Sequence, residues 1–162
     1  MALFNTPTSS HHDSWLTPKS AWADIKEYIP NKIVWESFFG NGRSAGYLRE
    51  LGFTVVSEDV DFFEHNMGEV IVSNPPFSII KEIMVRLFEI DKPFIMLMPS
   101  GKLGTQYFRQ WKDKGLQIII PKKRINFDKM VDGVVSKKKS ACNFDCYYYC
   151  YKINLPSDMV WL

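Results

Sequence analysis

Short apolar runs, broken by polar or glycine- and proline-containing segments, set the rhythm of this chain. Val70 to Ser73, Phe94 to Met98 and Leu116 to Ile120 are largely apolar stretches of strand length, the pattern of strands buried on both faces. Lys32 to Trp35 and Phe53 to Ser57 read as two further short strands. Elsewhere the period lengthens. Residues 79, 80, 83, 84, 87, 88 and 90 are apolar, a helical repeat with a broad face, which predicts a helix over Ser78 to Ile90. Thr17 as cap and Pro18 in the first helical position predict a helix that reaches Tyr28 and stops before Pro30. Arg43 to Leu51 predicts another, stopped by Gly52. Lys102 to Lys114 is amphipathic and predicts a fourth. Pro121 to Phe127 reads as a basic continuation of the preceding strand, Asp128 to Ser140 as a loop, and Asn143 to Ile153 as a long aromatic strand.

Strands alternating with helices predict an α/β fold, with a mainly parallel sheet covered by helices on both faces. The last two strands have no helix between them and predict an antiparallel pair at one edge. Met1 to Ser14 is polar and reads as a flexible arm, which leaves residues 15–162 as one domain without a separate recognition module. At 162 residues, 46% apolar and 15% aromatic, the chain can bury a real core, and the composition excludes a low-complexity or disordered class. No apolar run approaches the roughly 20 residues of a membrane-spanning helix, and the first residues lack the basic-then-apolar layout of a signal peptide. The expectation is a soluble intracellular protein with no membrane partner.

Charge changes the picture more than composition does. The net charge is only +2 at pH 7, yet residues 101–140 hold 11 Lys and Arg against 3 Asp and Glu, while residues 1–100 hold 8 against 13. The basic segment is either a face for a polyanion or a solvated surface without a partner. The three cysteines, Cys142, Cys146 and Cys150, follow no zinc spacing and are odd in number. On a strand they share one face with Phe144 and Tyr148, and they read as reduced, buried thiols. His11, His12 and His65 form no ligand constellation, so no metal is expected.

The most specific chemistry lies in Asn74-Pro75-Pro76-Phe77, directly after an apolar strand. Neither proline can donate to a sheet ladder, so the strand must end there. The prolines stiffen the turn and hold the Asn74 side chain and the Pro75 carbonyl at the strand's carboxyl end, where open α/β sheets bind ligands. Two fixed acceptors beside an aromatic ring suit a planar group that carries an NH2. Glu36 to Gly42 joins a strand to a helix, and Gly40 and Gly42 allow backbone to approach a ligand closely. Alone, that loop is equally an ordinary turn. A carboxylate after the second strand, Glu58 or Asp59, can accept both ribose hydroxyls of a nucleoside. Asp61 and Phe62 follow closely, and Asp61 is either a fixed acceptor or part of a solvated acidic loop.

In this order the motifs resemble the S-adenosylmethionine-dependent amino-methyltransferases, in particular the N6-adenine DNA methyltransferases. The resemblance spans roughly residues 14–128. Trp15-Leu16-Thr17-Pro18 looks like the segment that touches the cofactor's methionine end. Glu36-Ser37-Phe38-Phe39-Gly40-Asn41-Gly42 looks like the cofactor loop, Asp61-Phe62 like the pair that meets the cofactor's adenine, and Asn74 to Phe77 like the catalytic motif. Arg124-Ile125-Asn126-Phe127 is similar to a segment whose aromatic residue helps to hold the target base. The resemblance implies a Rossmann-like methyltransferase fold with a seven-stranded sheet and S-adenosylmethionine as cofactor. It implies transfer of a methyl group to adenine N6 in DNA, with RNA adenine, a protein glutamine amide or an inactive subunit of a complex as alternatives. Asn74, Pro75 and Phe77 would be catalytic. The cofactor would meet Thr17, Pro18, Glu36, Phe38, Gly40, Gly42, Glu58 or Asp59, Asp61, Phe62 and Asn74. Because duplex DNA hides the amino group, the base must leave the stack. Phe77 and Phe127 could then sandwich it, although core packing serves Phe127 equally well. Lys122, Lys123, Arg124, Lys137, Lys138 and Lys139 would bind phosphates, with DNA preferred over RNA. A homodimer or partner subunit could supply a recognition surface.

Overall fold

The computed structural model describes residues 15–131, 134–135 and 144–162. The predicted arm, Lys137 to Lys139 and Cys142 therefore lie outside the described residues. Among the described residues, ten strands and three α-helices follow one another. β1 is Trp15–Leu16, α1 Lys19–Ala23, β2 Val34–Trp35, α2 Arg43–Glu50, β3 Val55–Val56 and β4 Val70–Ser73. Then come α3 Ile80–Ile90, β5 Phe94–Pro99, β6 Gln117–Ile120, β7 Asp128–Val131, β8 Val134–Val135, β9 Cys146–Tyr151 and β10 Met159–Trp161. Seven strands form the main sheet in the order β10-β6-β9-β5-β4-β2-β3, and β1, β7 and β8 form a second, three-stranded one.

Side-chain alternation sorts the main sheet into two buried layers. Val34, Val70, Val72, Ile95, Leu97, Ile119, Cys146, Tyr148 and Cys150 face one way and meet Trp22 and Ile25 of the first helical segment and Leu48 of α2. Trp35, Ile71, Phe94, Met96, Met98, Ile118 and Tyr149 face the other and meet Ile83, Met84 and Leu87 of α3, with Phe108 and Trp111. Strands fully buried on both faces need apolar residues at every position, which is why β4 and β5 read as continuous runs. Gly68, at φ +62, turns the chain into β4 where a Cβ would lie 3.0 Å from the Ile33 carbonyl oxygen and from Trp35 N. Only glycine fits so near β2 in that conformation.

The mainly parallel sheet matches expectation, with one displacement. β9 is the antiparallel member, bonded to both β5 and β6, but it lies third from the edge, because β10 adds a parallel strand outside β6. Cys146 and Cys150 are buried, as expected, and burial pushes the Cys150 thiol's pKa upward.

Several local expectations fail, each for a physical reason. Pro18 is the cap rather than the first helical residue and stays extended at ψ 156, while Thr17 makes no capping bond and its hydroxyl is buried without a partner. The first helix stops at Ala23 and resumes only as a 3-10 turn over Lys26–Tyr28. The helix expected over Lys102 to Lys114 forms only short 3-10 turns, Ser100–Lys102 and Phe108–Trp111. Gly101 and Gly104 weaken an α-helix there, and Phe108 and Trp111 bury at the three-residue spacing of the tighter helix. Pro121 to Phe127 is irregular rather than a strand, and its first residue has no N–H to continue the ladder of β6. Finally, the stretch expected to be a loop contains β7 and β8, because β7 finds a distant partner: Trp15 pairs with Lys129 and Leu16 with Asp128.

Candidate active site

The strand order reverses between β2 and β4. The chain leaves β2, passes through α2 and returns as β3 on one side, then continues into β4 on the other. At such a switch point the two outgoing loops diverge and leave a crevice at the strands' carboxyl ends. Glu36 follows β2 and Asn74 follows β4, so the two leading candidates from the sequence leave the sheet at that crevice.

Glu36 is 1% exposed. Its Oε1 accepts the Phe38 amide at 3.2 Å and the hydroxyl of Ser73, while Oε2 is buried with no partner. Ser57, just past β3, donates to the Glu36 backbone carbonyl at 3.0 Å. Burial outweighs these hydrogen bonds and pushes the Glu36 pKa up from 4.5 to about 8. The carboxyl is therefore largely protonated at neutral pH.

Asn74 is half-buried between Pro75 and the strand. Its Nδ2 donates to the Trp15 carbonyl at 3.4 Å, a long bond that nevertheless decides the amide's orientation. With the nitrogen turned toward β1, Oδ1 points the other way and is buried without a partner. Ser37 Oγ and Thr17 Oγ1 are likewise buried and unpartnered. Unpaired buried polar atoms are costly and rare. Glu36 Oε2, once its carboxyl gives up the proton, suits an ammonium, the Thr17 and Ser37 hydroxyls suit a carboxylate, and Asn74 Oδ1 is a further acceptor.

The remaining candidates are placed as follows. Gly40 and Gly42 adopt φ +57 and +83, and Gly42 caps α2 from the left-handed region that glycine favours. Phe38 is buried against Phe62, with ring centroids 4.9 Å apart. Phe62 is fully buried, and Phe63, stacked on it at 5.4 Å, is the more exposed member of that pair. Asp61 accepts the Phe63 amide at 2.9 Å. Glu58 and Asp59 are both exposed beyond β3. Pro18 is half-buried beside Thr17, and Pro75 is buried.

Beside Asn74 stands an aromatic group. Phe77 meets Phe144 edge-on at 5.5 Å, and Phe144 contacts Trp15 at 5.9 Å and Phe127 at 6.1 Å. Phe77 and Phe127 are thus joined through Phe144, and Phe127 is only 4% exposed within the core cluster. The Lys129 ammonium lies 5.3 Å from the centre of the Trp15 ring, a cation–π distance. Lys122 and Lys123 are exposed, and Arg124 is turned back onto Asp145 in a two-point ion pair of 2.9 and 3.2 Å. Arg43, at the start of α2, pairs with Asp128 at 2.7 Å. That contact ties the helix after the glycine loop to β7, and through β1 to Asn74.

Sequence reasoning gave Ser73 no role, and it placed Trp15 and Ser37 only within motifs and Phe144 only beside the cysteines. A signal did exist for the serines: each is a hydroxyl at the end of an apolar strand, beside a candidate residue. Nothing local marks the Trp15 carbonyl, because its role comes from a fold contact.

No protein-family model matches this chain, and neither does any curated protein sequence. Solved structures do resemble it. One is a protein from Pyrococcus horikoshii provisionally named an RNA methyltransferase, with a TM-score of 0.55, 13% identity, and coverage of 91% of this chain and 89% of that one. At that identity the likeness is one of fold: the chain has a methyltransferase-type α/β fold.

Proposed function

We propose that this protein transfers a methyl group from S-adenosylmethionine to the exocyclic amino group of adenine in DNA. The observation that carries the reading is the Asn74 corner: an amide whose nitrogen is taken by the Trp15 carbonyl and whose oxygen is buried without a partner. An aromatic NH2 is a poor nucleophile, because its lone pair is delocalised into the ring. The Asn74 oxygen, with the Pro75 carbonyl, would accept its two N–H groups, favour a more tetrahedral nitrogen and stabilise the positive charge that develops on it. When bound, S-adenosylmethionine supplies a sulfonium methyl: the nitrogen lone pair forms the new N–C bond, the C–S pair stays with sulfur, and the surplus N–H proton leaves to water. Glu36 would hold the amino end of the cofactor, Thr17 and Ser37 its carboxylate, and Phe77 would stack on the base. Holding the two reactants in line supplies much of the rate.

A second reading keeps the chemistry and changes the polymer to RNA. It corresponds to the provisional name of the Pyrococcus protein, whose likeness to this chain is one of fold. Incubation with methyl-labelled S-adenosylmethionine and separate DNA, RNA and protein pools tests both. Label in DNA at N6 of adenine supports the proposal, label in RNA moves the function to the second reading, and label in no pool overturns both.

The exposed Lys122 and Lys123 supply phosphate contacts in this reading. The Lys122→Gln/Lys123→Gln protein is expected to bind DNA more weakly. Its plot of log affinity against log salt should be shallower by ~1.8, about 0.9 for each phosphate that is no longer neutralised. An unchanged slope in a fluorescence-anisotropy titration would remove these lysines from the interface.

A further inference from the structure

Ser73 ends β4 and is fully buried. The three residues before it are apolar, and nothing in a buried strand calls for a hydroxyl at this point. The hydroxyl donates to Oε1 of Glu36. It thereby joins the residue that precedes the catalytic corner to the residue that opens the cofactor loop. Glu36 keeps Oε2 buried and unpartnered.

The surroundings of this carboxyl are neutral. From β4 it faces the Ser73 hydroxyl and from its own loop the Phe38 amide, while beyond β3 Ser57 reaches only its backbone carbonyl. Among the described residues no charged side chain bonds to it. Glu58 and Asp59 are exposed, Asp61 accepts the Phe63 amide, and Arg43 is paired with Asp128. A carboxyl so enclosed keeps its proton until a cation arrives.

We propose that Ser73 is a positioning residue that couples cofactor binding to proton release: it holds Glu36 with its free oxygen toward the site, and the cofactor's ammonium displaces the proton that this carboxyl carries. This rests on the cofactor reading above. The proton leaves to solvent, and the O–H lost from Glu36 is replaced by an N–H donated from the ammonium to a carboxylate, a stronger charge-assisted bond. One peptide bond separates Ser73 from Asn74, so the contact that aims Glu36 also fixes the strand end that carries the Asn74 amide. Cofactor affinity then rises with pH while the free protein still holds the proton, and levels off once the carboxyl is ionised without ligand, near pH 8.

The test is calorimetric titration of the whole chain with S-adenosylhomocysteine, which has the same amino-acid end and no methyl group to transfer. It is run at pH 7 in phosphate and in Tris, whose ionisation enthalpies differ. The wild type is expected to release about one proton on binding and Glu36→Gln none. Ser73→Ala should bind about 5- to 10-fold more weakly, the worth of one hydrogen bond. Its affinity plateau should move to higher pH, because the hydrogen bond it removes favours the charged carboxylate; a purely structural role would leave that pH unmoved. Ser73→Thr, which keeps the hydroxyl, should restore the wild-type profile. Binding without buffer-dependent heat in the wild type, or a Ser73→Ala plateau at the wild-type pH, overturns the proposal and leaves the cofactor reading standing. No binding heat at any pH overturns the cofactor reading and the proposal with it.

Discussion

Replacing Asn74 with alanine is expected to leave the fold and cofactor affinity close to normal and to lower the single-turnover methylation rate about 10²- to 10³-fold, the usual cost of one preorganised group that meets developing charge. The side chain is half-buried at the end of a strand whose core contacts come from Val70, Ile71 and Val72, so its removal opens no large cavity. What disappears is an acceptor with a fixed direction. The long bond from Nδ2 to the Trp15 carbonyl turns Oδ1 away from β1, where it is buried without a partner. Asn74→Asp separates the two contributions. It keeps acceptors but loses the N–H that Trp15 receives, so its rate should lie between those of alanine and asparagine. Rapid-quench measurement with labelled S-adenosylmethionine reads both, and a near-normal rate for Asn74→Ala would take this residue out of the chemistry.

The second large effect is on stability. Glu36 has an ordinary pKa of 4.5 and a folded value near 8, so between these limits the folded protein binds more protons than the unfolded chain. Where the folded state holds the extra proton, stability falls as pH rises. The contribution is full below about pH 4.5 and is lost progressively up to about pH 8. Each pH unit inside that window costs up to ~1.4 kcal/mol, roughly 3–5 kcal/mol across it. Glu36→Gln keeps the shape and cannot ionise. Urea denaturation at pH 5, 6.5 and 8 should show the wild type losing stability against this variant by that amount. Parallel curves would mean that the carboxyl is ionised in the folded protein and reaches solvent.

How far the sequence carried the structure follows from what each residue's role depends on. β4, β5 and α3 were legible because burial on both faces, or on one broad helical face, forces every relevant position to be apolar. The turn at Asn74 was legible because two prolines leave a strand nowhere to go. Glu36 was legible as a candidate but not as a protonated one, since its state depends on Ser73 and on the depth of its burial. β7 was hidden because a strand is recognised by its partner, and its partner is Trp15–Leu16. The helix expected over Lys102 to Lys114 failed where glycines competed with an apolar period that a 3-10 turn satisfies equally well. The place of β9 was hidden for a similar reason: insertion between β5 and β6 depends on what β10 does at the edge.

The pairing of β1 with β7 also bears on when the protein becomes competent during its synthesis. Trp15 leaves the ribosome long before Lys129, its strand partner. Closing so long a loop is slow and gains no contact energy until both ends exist. The central parallel strands can assemble earlier, with the Asn74 amide still free to rotate. A nascent chain halted ahead of β7 would thus hold the parallel strands β2 to β5 while lacking both β9 and the brace that fixes the Asn74 amide, so its site would be completed only late in translation.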